Sequence, residues 1–89
     1  MMSFFTDLNN YIKTLSSDWV LVDGTDASTI YLENEEAKSR IRIEYHQEMT
    51  VRNGKVKPYI WGMVDLIDDG YIDSSKIALE VNEILRKNT

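Results

Sequence analysis

Cysteine is absent from the 89 residues, proline occurs once and glycine four times. Without thiols the chain has no disulfide framework, no thiolate metal site, no iron–sulfur cluster and no cysteine nucleophile. The glycines, Gly24, Gly54, Gly62 and Gly70, stand singly, so neither the dinucleotide-binding spacing nor the P-loop spacing occurs and no nucleotide cofactor is expected. A single histidine, His46, leaves no second imidazole for the usual zinc and iron sets. No apolar run approaches the roughly 18 residues that cross a bilayer, and the first residues lack the basic start and apolar stretch of a signal peptide. The expectation is a cytoplasmic protein without a cofactor.

What is present has the balance of a globular domain, with 43% hydrophobic and 28% charged residues. A chain of this size makes one domain, taken as residues 1–89. Fifteen carboxylates stand against ten cations, for a net charge of −5. That charge opposes a phosphate backbone, which needs clustered cations to displace its counterions. A protein partner with a basic surface, such as a nucleic-acid-binding protein, suits it better than nucleic acid itself.

Two amphipathic helices frame the chain. Phe4, Leu8, Tyr11, Ile12 and Leu15 form an apolar stripe at helical spacing, with Ser3 placed to cap it and Ser16-Ser17-Asp18 ending it. Near the other end Ile77, Ala78, Val81, Ile84 and Leu85 form a second stripe, capped by Asp73 or Ser74 and closing on Arg86 and Lys87. Between them Trp19–Val22 and Thr29–Glu33 read as strands separated by the turn cluster Asp23-Gly24-Thr25-Asp26. Glu35-Glu36-Ala37-Lys38 has the composition of a helical turn, and Tyr71-Ile72 that of a short extended piece.

Asn53-Gly54 is the dipeptide best suited to a two-residue type I′ hairpin. Taken literally it pairs Val51 with Val56, Met49 with Pro58, Gln47 with Ile60, Tyr45 with Gly62, Ile43 with Val64 and Ile41 with Leu66, an almost wholly apolar face. A slip of one residue would invert every side chain, so turn chemistry and alternation select the same register. The other face pairs Arg42 with Asp65, Glu44 with Met63, His46 with Trp61, Glu48 with Tyr59 and Thr50 with Lys57. Pro58 argues for an edge strand or an irregular tip. The predicted fold is α+β, α-β-β-β-β-α, a mainly antiparallel four-stranded meander. Both helices are expected on the apolar face, because Arg40, Arg42, Glu44, His46 and Glu48 are costly to bury on the other.

The favoured reading is a non-enzymatic protein-interaction module of the inhibitor, immunity or regulatory kind. Tyr59, Trp61 and Met63 would dock, joined by Tyr31 and flanked by His46, Glu44 and Glu48. Glu33, Glu35, Glu36, Asp65, Asp68 and Asp69 would steer the docking toward a basic surface. A DNA-mimic inhibitor of a phage or mobile element is one version, and an uncovered sheet face also suits a homodimer. Two alternatives stand beside it. His46 with Glu44 or Glu48 could serve a small enzyme or ligand-binding domain. The stretch Asp65–Asp73 partly matches a calcium loop with Gly70 at the sixth position, but Ile67 and Lys76 occupy two ligand positions, so no metal is expected there.

Overall fold

The computed structural model describes residues 4–70 and 73–88. Helix α1 (Phe4–Ile12) precedes strands β1 (Trp19–Asp23), β2 (Thr29–Asn34), β3 (Ser39–Arg52) and β4 (Lys55–Asp68), and helix α2 (Ser75–Lys87) closes the chain. The strands form one sheet in the order β1-β2-β3-β4, every neighbouring pair antiparallel. The fold is therefore the expected α+β meander with a helix before and after it.

Asn53 and Gly54 both have positive φ, 52° and 75°, as a type I′ turn requires. The register of β3 on β4 follows from that turn, with Arg52 opposite Lys55, Ile43 opposite Val64 and Ile41 opposite Leu66. It breaks only beyond Ile41, where Arg40 lies opposite Asp68 and Ile67 is the extra residue of a bulge. The pair flanking a two-residue turn exchanges hydrogen bonds, and bonded and non-bonded pairs alternate from it. Odd-numbered residues of β4 thus turn their N–H and C=O groups toward β3, and even-numbered ones turn them away. Tyr45, opposite Gly62 in a non-bonded pair, accordingly gives its N–H to the Ser28 carbonyl at 2.8 Å on the other side of β3. Pro58 is even-numbered, so its missing donor leaves the β3–β4 ladder intact and regular. At Gly62 a Cβ would lie 1.9 Å from the Glu44 carbonyl oxygen, which only glycine allows.

Both helices pack on the inner sheet face. Phe4 and Leu8 of α1 and Val81 and Leu85 of α2 are buried with Trp19, Ile30, Leu32, Ile41, Ile43 and Ile60. Phe5 adds edge-on contacts to Phe4 and Tyr45, with ring centroids 5.0 and 5.2 Å apart. Helix α1 stops at Ile12, short of the predicted stripe. Its last residues tighten into three-residue spacing, Thr14 and Leu15 donating to the Tyr11 and Ile12 carbonyls, while the Thr14 hydroxyl bonds Tyr11 O at 2.6 Å. Residues 35–38 form a single turn that does not grow into a helix: the Asn34 side chain accepts the Ala37 N–H at 3.0 Å as an N-cap does, Lys38 N–H donates to the Glu35 carbonyl at 3.2 Å, and Lys38 at φ 57° ends the turn. The expected cap at Ser3 and the extended piece at Tyr71-Ile72 lie outside the described residues.

The entry into α2 uses both candidate caps, in different ways. Asp73 Oδ1 accepts the Ser75 N–H at 3.1 Å and its hydroxyl at 2.6 Å. Ser74 caps nothing with its side chain. Its buried hydroxyl meets Ser39 Oγ at 2.6 Å, and Ser39 Oγ donates to the Asp68 carbonyl at 3.0 Å, so the Ser74 hydroxyl is the donor of that pair. This chain of hydroxyls ties the start of α2 to the sheet.

The apolar face of the ribbon is not covered along its length. Ile41, Ile43 and Ile60 are buried, but Met49, Val51 and Val56 are 64%, 67% and 62% exposed. Both helices lie on this face as expected, and they reach only its Ile41–Ile43 end. From about residue 47 to 59 the hairpin stands clear as a two-stranded arm. The molecule measures 50 × 26 × 17 Å with a radius of gyration of 14.0 Å, where a compact chain of this length would have about 12 Å.

Candidate functional site

The outer face of the sheet is built by strand alternation. It gathers Val20 and Val22 from β1, Tyr31 and Glu33 from β2, Arg40, Arg42, Glu44, His46 and Glu48 from β3, and Tyr59, Trp61, Met63 and Asp65 from β4. Both helices lie on the opposite side, and Trp61 and Met63 remain 45% and 53% exposed.

The aromatic stripe on β4 is held from β3. His46 stacks on Trp61 with centroids 4.5 Å apart and planes 26° from parallel. Glu48 Oε2 accepts hydrogen bonds from Trp61 Nε1 and from the Tyr59 hydroxyl, the latter at 3.3 Å. Partial desolvation, then the Glu48 charge, pushes the Tyr59 phenol above its ordinary value. One carboxylate thus fixes two aromatic side chains whose faces stay open to solvent.

The middle of the face is a ladder of ion pairs. Arg42 bonds Asp65 at 2.9 Å and approaches Glu44 at 3.4 Å, and the Asp65 bond raises the Arg42 pKa further. Arg40 Nε lies 2.8 Å from Glu33, an ion pair by distance whose N–H points off the carboxylate oxygen. Its guanidinium sits 3.9 Å from the centroid of the Tyr31 ring. Tyr31 therefore does not join the β4 stripe. Strand β2 pairs with β3 and not with β4, so the Arg–Glu row separates Tyr31 from Trp61 and Met63.

The six proposed steering carboxylates divide. Glu33 and Asp65 are engaged by arginines, and Asp69 accepts the Ser74 N–H at 2.7 Å in the turn before α2. Glu35, Glu36 and Asp68 are exposed at the end of the sheet remote from the arm. The acidic face is thus a neutralised centre with an acidic end. The opposite end is basic, for Arg52, Lys55 and Lys57 accompany the single carboxylate Glu48 on the arm.

The alternative chemistries meet other geometry. The Glu44 and Glu48 carboxylates point to Arg42 and to the aromatic pair, and the imidazole of His46 is stacked against Trp61. In the calcium-like stretch Asp65 lies on β4 against Arg42, while Asp69 and Asp73 accept backbone N–H groups at the start of α2. Among the described residues no group of three or more potential metal ligands comes together. No helix among them is long and apolar enough to cross a membrane.

Sequence reasoning missed one surface, the inner side of the arm. Met49, Val51, Val56 and Pro58 are exposed there. Next to them an open groove of about 540 Å³ lies between the arm and the end of α2, lined by Gln47, Met49, Pro58, Tyr59 and Asn88. The signal was one of length. Two 14-residue strands reach about 46 Å, whereas helices of 9 and 13 residues cover about 14 and 20 Å.

Comparison with protein-family models, curated proteins and solved structures finds no match to this chain. The functional reading therefore stands on the geometry.

Proposed function

We propose that the chain is a non-enzymatic protein-interaction module that docks through the outer face of its sheet. The observation that carries this reading is Trp61, nearly half exposed on a face that neither helix covers, with its indole held by His46 and Glu48. A large aromatic side chain fixed before binding loses little rotamer freedom on docking, the property of a hot spot. Met63 and Tyr59 extend the anchor along β4.

Charge surrounds the anchor without crossing it. Around the anchor Glu33, Glu44, Glu48 and Asp65 stand beside Arg40 and Arg42, while Arg52, Lys55 and Lys57 carry the same face onto the basic arm, so steering toward a basic rim falls to the body end of the sheet, where Glu35, Glu36 and Asp68 are exposed. Because arginines already hold Glu33 and Asp65, the reading rests on aromatic docking with electrostatic steering and not on imitation of a phosphate chain. An inhibitor or regulator of a basic protein is the role that fits.

The test is titration of Trp61→Ala against the captured and purified partner. Loss of about 2 kcal/mol or more, some thirtyfold in affinity, is expected, with circular dichroism and melting unchanged because the indole lies outside the core. Affinity that survives both Trp61→Ala and Met63→Ala would remove this face from the function. Binding by the wild type should also weaken as salt is raised.

A further inference from the structure

The unpaired edge of β4 is a second surface, distinct from the outer face. Strand β4 is last in the sheet, and among the described residues no backbone hydrogen bond outside the ladders involves residues 56–66. The outward N–H groups on this edge are those of Val56, Ile60, Gly62, Val64 and Leu66, while Pro58 offers only its carbonyl. Natural edge strands are blunted by lysine, proline, bulges or inward-pointing charge. Here the lysines and Pro58 sit only toward the tip and the bulge only at Ile67. From Tyr59 to Val64 no charged residue interrupts the edge.

We infer that β4 pairs antiparallel with β4 of a second copy of this chain, about a two-fold axis at Trp61, to form a continuous eight-stranded sheet. Charge selects this occupant and this register. The arm is basic and the far end of the body is acidic, so a second copy supplies to each end the opposite charge. Alternation requires outer residues to meet outer residues. With Trp61 opposite itself, Lys57 lies opposite Asp65 of the second copy and Tyr59 opposite Met63, while Val56 meets Leu66 and Ile60 meets Gly62 on the inner side. Pro58 falls opposite Val64 and omits one donor per copy, leaving the central Ile60–Gly62 pairs complete.

The arrangement also accounts for the uncovered arm. Helix α2 packs on the inner side of β4, and a two-fold axis normal to the sheet puts both inner faces on the same side. The exposed Met49, Val51, Val56 and Pro58 of one arm then run beside α2 of the second copy. On the outer side the two Trp61 stripes become neighbours across the axis.

The absence of cysteine makes a single-thiol test clean. Trp61→Cys in the full chain, under mild oxidation, is expected to form a covalent dimer, because residues facing each other across paired strands bring their Cβ atoms within about 4.5–5.5 Å. Met63→Cys, which faces Tyr59, should form none. In the unmodified chain, sedimentation should show a dimer that Lys57→Glu weakens about tenfold or more. Hydrogen exchange at Ile60, Gly62 and Val64 should slow as concentration rises. A wild-type chain that stays monomeric at millimolar concentration, or a dimer in which those three amides exchange freely, overturns the inference. Neither result touches the docking role of Trp61, which is read with the partner alone.

Discussion

The two ends of the β3–β4 ribbon share one pattern and have different fates. At the body end Ile41 and Ile43 point inward and are completely buried, and in the arm Met49 and Val51 point to the same side and are mostly exposed. Nothing in the alternation of residues changes between them. What changes is cover, because the helices end before the strands do. Alternation therefore encodes which side a residue faces, while burial depends on how far a second layer reaches.

The widest separation between the two ends should come from truncating one apolar side chain in each. Ile41→Ala removes buried volume from the closed end and should cost about 2–5 kcal/mol. Val51→Ala, in the arm, should stay within about 0.5 kcal/mol. Urea unfolding at low protein concentration, where a dimer does not contribute, measures both. A loss at Val51 approaching that at Ile41 would mean that the arm folds back onto something, and the contrast would fail.

A smaller effect sharpens the description of the closed end. Ser39 and Ser74 are both buried, and only Ser39 links the start of α2 to the Asp68 carbonyl. Ser39→Ala leaves a buried hydroxyl and a carbonyl without that partner and should cost about 1–3 kcal/mol. Ser74→Ala leaves the Ser39–Asp68 bond in place and should cost less. Equal losses in thermal unfolding would reverse the donor assignment.

How much of this was legible in the sequence follows the same division. Asn53-Gly54 and the alternation around it gave every β3–β4 partner up to the Ile67 bulge, since turn geometry and side-chain parity are local properties. Two helices on the apolar face followed from the cost of burying Arg42 and Glu44 opposite. The separation of Tyr31 from Trp61 was not legible, because it depends on strand order, which no local pattern states. Arg42 opposite Asp65 and Glu48 opposite Tyr59 came with the register, whereas the pairing of Glu33 with Arg40 and the reach of Glu48 to Trp61 did not. The bare arm was within reach, because the lengths of the elements alone imply it.

The smallest expected effect is proton-linked and is read at the closed end. Hydrogen bonds from the Ser75 hydroxyl and then its N–H hold the Asp73 carboxyl below its ordinary value. Asp26, in the β1–β2 turn, is lowered likewise by the Ser28 N–H and then its hydroxyl. A depressed native pKa means that the unfolded chain takes up its proton first as the pH falls. The stabilisation from Asp73 is thus complete above the ordinary aspartate range, about pH 4. It drains away below that range and is gone once the lowered native value is passed. The stability difference between wild type and Asp73→Asn should accordingly be present at neutral pH and close as the solution is acidified. The amides at the start of α2 should lose protection over the same interval. A difference that stays constant down to strongly acid pH would show that Asp73 stabilises α2 through shape and not through charge.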